Sequence, residues 1–184
     1  MENSYLASAL KQFEYYKSLS DKTMEQLSFK ELKEEFAEDS NSIAIIVKHI
    51  VGNMLSRWTN FLTEDGEKPW RERDNEFIDV FKTREELNAY WNKGWDCLFN
   101  AIKQLNSEDL EKIVYIRNQG HTVTEAINRQ MMHYAYHAGQ IVFIGKLAKG
   151  TKWQSLSIPK GKSLDYNVEK FSKTKCKRHF TEDL

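Results

Sequence analysis

The chain has 184 residues, a length that favours one domain with a single sizeable core. Its 27 basic residues balance its 27 acidic residues, so the zero formal net charge gives no support for a nucleic-acid partner. It contains no apolar run of the roughly eighteen residues that a membrane span requires, and we expect no membrane partner.

Cysteine content and the N-terminus predict a cellular compartment. Cys97 and Cys176 are the only cysteines and lie far apart, which indicates reduced thiols rather than a disulfide framework. The N-terminus lacks a basic segment followed by an apolar one, so it does not resemble a secretory signal. We therefore expect a cytoplasmic protein.

Four long segments have the apolar periodicity of helices. In chain order they cover about residues 3–27, 42–62, 83–105 and 122–149. A short helical piece is predicted at residues 29–36. Thr83 and Glu86 have the spacing of a capping box at the start of the third long helix. Gly150 is suited to end the fourth.

The connections between these helices complete the predicted architecture. About 20 residues, 63–82, link the second and third helices, which is long for a compact domain and indicates a functional or internally folded crossover. A short extended piece is expected in EKIVYIRNQGHTVT, before the fourth helix. The prediction is an all-α fold, with a four-helix bundle over residues 1–150. Residues 151–184 would form a polar, partly ordered C-terminal extension with a short helix beyond Asp165.

A pair of histidines stands out in the fourth helix. His133 and His137 lie four residues apart in HYAYHAGQ, so both imidazoles occupy one helix face and can reach the same ion. The zinc-protease motif HEXXH has this spacing, but here Tyr-Ala-Tyr intervenes and the glutamate is missing. Because small and apolar residues share this face, we expect the pair to face the bundle interior or one open end of it.

A third histidine lies on the second helix. His49 shares a face with Ile45, Gly52 and Asn53. A glycine inside a helix costs about 1 kcal/mol relative to alanine, a loss that is tolerated where another group must approach the backbone closely. Two helices can thus present three imidazoles to one point. Structural roles for the histidines are the alternative, although unpaired buried ring nitrogens would cost about 1–3 kcal/mol each.

These histidine motifs resemble a known family. A histidine in the second helix, followed by a C-terminal HXXXH and Gly-Gln-Ile, is similar to the DinB-like (YfiT-like) superfamily of metal-binding four-helix bundles, over about residues 1–150. The segment DGEKPWRERDNEF resembles one subfamily of undefined function. The resemblance implies an up-down-down-up bundle, a homodimer, and one divalent ion, commonly zinc or nickel, bound by His49, His133 and His137.

The resemblance also implies a range of activities. Characterised relatives include thiol-dependent transferases and isomerases, and some carry the label of metal-dependent hydrolase. It therefore implies a thiol-dependent S-transferase or related detoxifying enzyme, with a small-molecule substrate and a low-molecular-weight thiol cosubstrate. Three imidazoles leave coordination positions open for water or substrate. A metal-dependent hydrolase, a non-catalytic metal-binding or stress-response protein and an interaction module remain alternatives.

Four further residues are candidates for contacts around the ion or the substrate. Asn53 can orient a ligand or bond the backbone, and Gln140 can bond a histidine ring nitrogen. Tyr136 can donate to a substrate oxygen or only pack. Arg57 can bind a carboxylate of the substrate or thiol, as can two arginines of the crossover, or form surface ion pairs. No catalytic residue is assigned.

Overall fold

Helices dominate the computed structural model, which describes residues 4–183. The α-helices are α1 (Ser4–Gln26), α2 (Phe29–Leu32), α3 (Ile43–Trp58), α4 (Arg84–Lys103), α5 (Val123–Lys149) and α6 (Ser163–Ser172). The strands β1 (Ile113–Ile116) and β2 (Gln119–Thr122) form an antiparallel pair. The predicted all-α class is confirmed. The predicted helix start at Asn3 and the last residue of the predicted extension, Leu184, lie outside the described residues.

Polar side chains begin three of the long helices. Ser42, Thr83 and Thr122 each accept a hydrogen bond from a backbone N–H three residues later, at the starts of α3, α4 and α5. These bonds satisfy donors that a helix start leaves unpaired. They confirm the predicted starts of these helices to within a residue.

Two helix ends differ from the prediction. The prediction that the second long helix reaches residue 62 was wrong, because α3 ends at Trp58. Thr59 is extended and Asn60 adopts a left-handed conformation with φ 49°, which stops the helix. The short helix predicted over residues 29–36 ends at Leu32, where Lys33 leaves helical geometry.

The core joins the long helices through aromatic side chains. α1 contacts α5 and α4, while α3 contacts α4 and α5. The ring of Phe13 on α1 lies 6.2 Å from that of Trp58 on α3, and both are buried. Trp58 Nε1 donates to the hydroxyl of Tyr134 on α5, at 3.1 Å. This buried bond fixes α3 against α5 close to the histidines.

The crossover between α3 and α4, residues 59–83, is folded onto the body. Gly66 N–H donates to the carbonyl of Tyr115 at 2.8 Å, and Ser56 Oγ donates to the carbonyl of Gly66 at 2.6 Å. A 3₁₀ turn, Asp74–Phe77, packs against α3. The expectation of an internally folded connection is confirmed.

The predicted extended piece forms a β-hairpin. Arg117 and Asn118 make its turn, and both have positive φ, 54° and 60°. Positive φ at both central residues is the geometry of a type I′ turn, which matches the twist of paired strands. Asp65 of the crossover accepts hydrogen bonds from the backbone N–H groups of both turn residues, at 2.9 Å each. The hairpin and the crossover therefore support one another.

The residues after α5 run back along α1. Gln154 exchanges two hydrogen bonds with Gln26, and His179 lies 3.1 Å from Ser8 Oγ. The short helix predicted beyond Asp165 is α6, which begins slightly earlier, at Ser163. Among residues 4–183, no helix has both the length and the apolar character needed to cross a bilayer.

Candidate metal centre

Three histidine side chains meet between α3 and α5. His133 Nε2 lies 3.4 Å from His49 Nε2 and 3.0 Å from His137 Nε2. One nitrogen from each ring falls within 4.8 Å of the others. The expected convergence of these three histidines is confirmed, and together they can hold a metal ion.

The spacing of these nitrogens fits a divalent cation. Zinc–nitrogen bonds of about 2.0–2.1 Å in a tetrahedral arrangement place ligand nitrogens roughly 3.3 Å apart. Burial lowers the pKa of His133 to about 3, with further lowering from His137 and His49. Burial also lowers the pKa of His137. Uncharged imidazoles keep a lone pair for a metal, so the donor set suits a cation.

A buried carboxylate orients His49. Glu76, in the 3₁₀ turn of the crossover, lies with Oε2 3.0 Å from His49 Nδ1. An acceptor at Nδ1 favours the tautomer that carries its proton there, which leaves the Nε2 lone pair directed at the other histidines. Arg71 donates to both oxygens of Glu76, at 2.7 and 2.9 Å. Burial alone would raise the pKa of Glu76, but the bonds from His49 and Arg71 lower it, so the carboxylate is ionised.

Gly52 makes this contact sterically feasible. A Cβ at position 52 would overlap Glu76 Oε1 and come within 2.8 Å of Glu76 Cδ. The sequence predicted that some group approaches the helix backbone at this glycine. That group is the Glu76 side chain, which contacts both Gly52 and, one turn away on α3, His49.

Gln140 orients the third histidine. Its Oε1 lies 2.7 Å from His137 Nδ1, so that nitrogen is the donor and Nε2 faces the other two rings. The sequence-based prediction gave Gln140 this role, and the contact agrees with it. Two of the three imidazoles thus have their outer nitrogen fixed by an acceptor from the chain itself.

Asn53 and Tyr136 lie beside the centre in different settings. Asn53 is buried, and its Oδ1 accepts a hydrogen bond from the hydroxyl of Tyr134 at 2.9 Å. Tyr136 is 63% exposed, and its ring centroid lies 5.0 Å from that of His137. Asn53 therefore has a structural partner, while the Tyr136 hydroxyl belongs to an exposed side chain.

Arg57 is buried and held by neighbouring acceptors. It donates to the carbonyl of Gly66 and, at 3.1 and 3.2 Å, to Glu67 Oε2. Burial and then the nearby Arg71 lower the pKa of Arg57. Of the sequence-based alternatives for Arg57, the ion pair is present, although the Arg57 side chain is buried and Glu67 is only partly exposed.

Two contributors escaped the sequence-based prediction. Glu76 was considered only as a partner in surface ion pairs, and Arg71 as such a partner or as a contact for an acidic substrate, yet their side chains are 7% and 3% exposed. Glu76 lies 27 residues after His49, in a connection without helical periodicity. The one available signal was Gly52, which indicated a close approach without identifying the approaching group.

An open cleft adjoins the histidines. Its volume is about 250 Å³, and His49, His133 and Gln130 contribute to its wall. Five arginines also line it: Arg57, Arg71, Arg73, Arg117 and Arg129. We call it the arginine cleft. It gives a small molecule access to the point where the imidazoles meet.

Comparisons with known proteins identify a family. The model of a family described as "Protein of unknown function (DUF1572)" matches residues 1–162. No curated protein matches the chain, and no solved structure does. The matched region contains all three histidines, Gly52, Glu76 and the arginine cleft. The chain belongs to the DUF1572 family, whose function is unknown.

Proposed function

We propose that this protein binds one divalent ion through His49, His133 and His137, and that the site catalyses thiol-dependent transfer to a small molecule. The observation that carries the proposal is the meeting of three Nε2 atoms, two of them on rings whose Nδ1 faces an acceptor. A site built only for packing would have no need to fix the outer nitrogens so that the lone pairs converge. Zinc or nickel suits such imidazole ligands.

A relationship to the DinB-like superfamily is part of the proposal. Support comes from the contacts among the four long helices, with α1 against α4 and α5, and α3 against α4 and α5. The long crossover between α3 and α4 is consistent with an up-down-down-up bundle. Residues 1–150 would form this bundle, with residues 151–184 as an extension. The positions of the histidines, one on α3 and two on α5, match the resemblance in the sequence.

The protein side chains would prepare the site for an anionic ligand. Neutral imidazoles leave the positive charge of a bound cation uncompensated, which favours an anion in an open coordination position. A divalent ion held there would stabilise the thiolate form of a thiol cosubstrate. Glu76 and Gln140 would hold two of the imidazoles in place while a substrate enters through the arginine cleft.

The alternatives use the same centre in other ways. In a hydrolase, a carboxylate commonly acts as the general base. Among the described residues, the side chains lining the cleft include no Asp or Glu, and Glu76 is already bound by His49 and Arg71. A purely metal-storing protein would not need an open cleft. Both observations favour the transferase.

Metal analysis of protein purified without a histidine tag tests the first half of the proposal. We expect about one divalent ion per wild-type chain, because three imidazoles and a fixed geometry suffice for tight binding. His133→Ala, which removes the central ligand, should leave the protein folded but nearly metal-free. His179→Ala is the matched control, since His179 lies near the C-terminus and contacts Ser8 and Thr181 instead of the three histidines of the centre. A wild-type protein that neither contains nor takes up a divalent ion would overturn the proposal.

Thiol titration tests the second half. Bacillithiol, glutathione and coenzyme A would each be added to the metal-loaded protein, with cobalt substitution to report sulfur coordination by absorbance. At least one thiol should produce a sulfur-to-metal charge-transfer band in the wild type and none in His133→Ala. If every thiol leaves the spectrum unchanged, the transferase is excluded while metal binding stands.

A further inference from the structure

The arginine cleft carries more positive charge than its neighbours neutralise. Its five arginines come from α3, the crossover, the hairpin turn and α5. Two carboxylates pair with them, Glu67 with Arg57, Arg71 and Arg117, and Glu76 with Arg71. Glu76 also faces His49, so its charge is shared. Positive charge is therefore in excess along the wall of this cleft.

Two exposed arginines of the cleft, Arg73 and Arg129, have no carboxylate partner among residues 4–183. Arg73 has no ion pair or hydrogen bond through its side chain within residues 4–183. Arg129 donates from Nη1 to His121 Nε2 at 3.1 Å, and it forms no ion pair with a carboxylate among residues 4–183. By contrast, the side chains of Arg57 and Arg71 are only 7% and 3% exposed and are held in ion pairs. Arg73 and Arg129 are thus the cations free to bind an anion from solution.

Two buried polar atoms on cleft residues also lack partners. Gln130 is 4% exposed, and its Oε1 is buried without a hydrogen-bond partner among the described residues. Arg57 Nε is also buried and has no hydrogen-bond partner among the described residues. An unsatisfied buried group costs about 1–3 kcal/mol, and native proteins keep few of them. An acceptor and a donor left open beside one cleft match a ligand that carries both kinds of group.

We propose that the arginine cleft binds the acidic group of a small ligand, a carboxylate or a phosphate, that also carries a hydrogen-bond donor. Arg73 and Arg129 bind the acidic oxygens, and Gln130 accepts from the donor. The cleft, at about 250 Å³, is smaller than the roughly 300–1,000 Å³ sites of drug-sized ligands, so the ligand is small. This inference rests on the proposed function, because it names the substrate class of the same site: His49 and His133 line the cleft, so the acid lies next to the metal ligands.

Calorimetric titration of protein stripped of metal and dialysed tests this inference. Inorganic phosphate, L-lactate and propionate serve as probes, each up to millimolar concentration at low ionic strength. We expect saturable binding of phosphate or of lactate. Whichever of the two binds more tightly identifies the acidic group of the ligand as a phosphate or a carboxylate. If carboxylates are preferred, lactate should bind more tightly than propionate, because only lactate offers a hydroxyl to Gln130, and Gln130→Leu should remove that difference.

Variants distinguish anion binding in the arginine cleft from a nonspecific effect of the charge on the protein surface. The double variant Arg73→Gln/Arg129→Gln should weaken binding by about tenfold or more, the effect of losing charge-assisted hydrogen bonds. Both side chains are exposed, so the fold should be unaffected. Lys93→Gln, which removes an exposed charge from α4 outside the cleft, is the control and should bind as the wild type does. Equal binding by the double variant, or no saturable binding by the wild type, would overturn the inference.

Metal content distinguishes this inference from the proposed function. The double variant should retain about one ion per chain, because neither arginine contacts a histidine of the centre. The anion titration uses metal-free protein, so a failure to bind metal leaves its outcome unaffected. Loss of metal from the double variant would contradict the separation of the two sites.

Discussion

Glu76 occupies a costly position for a charged side chain. A buried carboxylate is stable only when hydrogen bonds replace the water that it loses. Here Arg71 supplies two bonds and His49 a third, and the lowered pKa of Glu76 shows that these outweigh burial. The pair of Glu76 and Arg71 therefore acts as one unit that holds the ring of His49. Removing either partner would leave the other charge buried.

Gly52→Ala tests this arrangement without removing any charge. The new Cβ would overlap Glu76 Oε1, so the carboxylate must move away from His49. Loss of a partner that orients a metal-binding histidine lowers metal affinity by about 10–100-fold, and we expect an effect of this size. Competition with a chromophoric chelator measures it.

Gly139→Ala is the matched control. Gly139 also lies within a helix, α5, but a Cβ there would meet no atom of residues 4–183 within 4 Å. This variant should keep its metal affinity and gain up to about 1 kcal/mol of stability from the higher helix propensity of alanine. Unchanged affinity in Gly52→Ala would show that Glu76 does not position His49.

At the residue scale, the three histidines could be predicted more readily than the side chains that orient them. His133 and His137 share a helix face because of their spacing, and Gln140 follows His137 by a turn, so local periodicity brings them together. Glu76 reaches His49 through the fold of the crossover, which no local pattern encodes. Gly52 was the one sign of it, since a glycine inside a helix needs a reason.

At the element scale, one side chain joins the crossover to the hairpin. Asp65 accepts bonds from the backbone N–H groups of Arg117, Asn118 and Glu67. Its pKa is lowered: burial alone would raise it, but these backbone bonds dominate. Because the hairpin turn carries Arg117 into the arginine cleft, Asp65 indirectly shapes the wall of that cleft.

Asp65→Ala should loosen the hairpin turn. Loss of bonds to a charged acceptor should cost about 1–2 kcal/mol and accelerate amide hydrogen exchange at Arg117 and Asn118. Asp96→Ala, an exposed site on α4, serves as the control and should leave that exchange unchanged. In the wild type, folding lowers the pKa of Asp65 below its ordinary value of 3.8. The stabilisation by the Asp65 carboxylate is therefore present in full above the ordinary pKa and is lost as the pH falls through the folded-state pKa. Exchange rates that are equal in Asp65→Ala and the wild type would contradict this role.

Helix starts were more predictable than helix ends. Ser42, Thr83 and Thr122 are cap residues next to apolar runs, so the sequence marks where α3, α4 and α5 begin. The end of α3 was misplaced because the apolar pattern continues through Phe61. That ring packs 4.8 Å from Trp58, yet it does so after the chain has left the helix at Thr59.

At the scale of the whole molecule, apolar side chains remain on two exposed helix faces. On α5 these are Met132, Tyr136, Phe143 and Leu147, whose spacing places them along one stripe. On α6 they are Leu164, Val168 and Phe171. Exposed apolar stripes mark surfaces that commonly contact another protein. The sequence predicted the all-α class from periodicity, but which faces stay uncovered depends on the packing of all the helices.

The homodimer stays a prediction, and the α5 stripe is the surface on which we expect it to form. The stripe borders the metal centre, since the Tyr136 ring contacts that of His137. We expect light scattering to give a dimer mass for the wild type and a monomer mass for Phe143→Glu, because a buried unpaired charge opposes association. Phe171→Glu on α6 introduces the same change at another exposed phenylalanine and should remain dimeric. Both variants should keep their metal. A monomeric wild type, or a dimeric Phe143→Glu, would show that α5 does not mediate self-association.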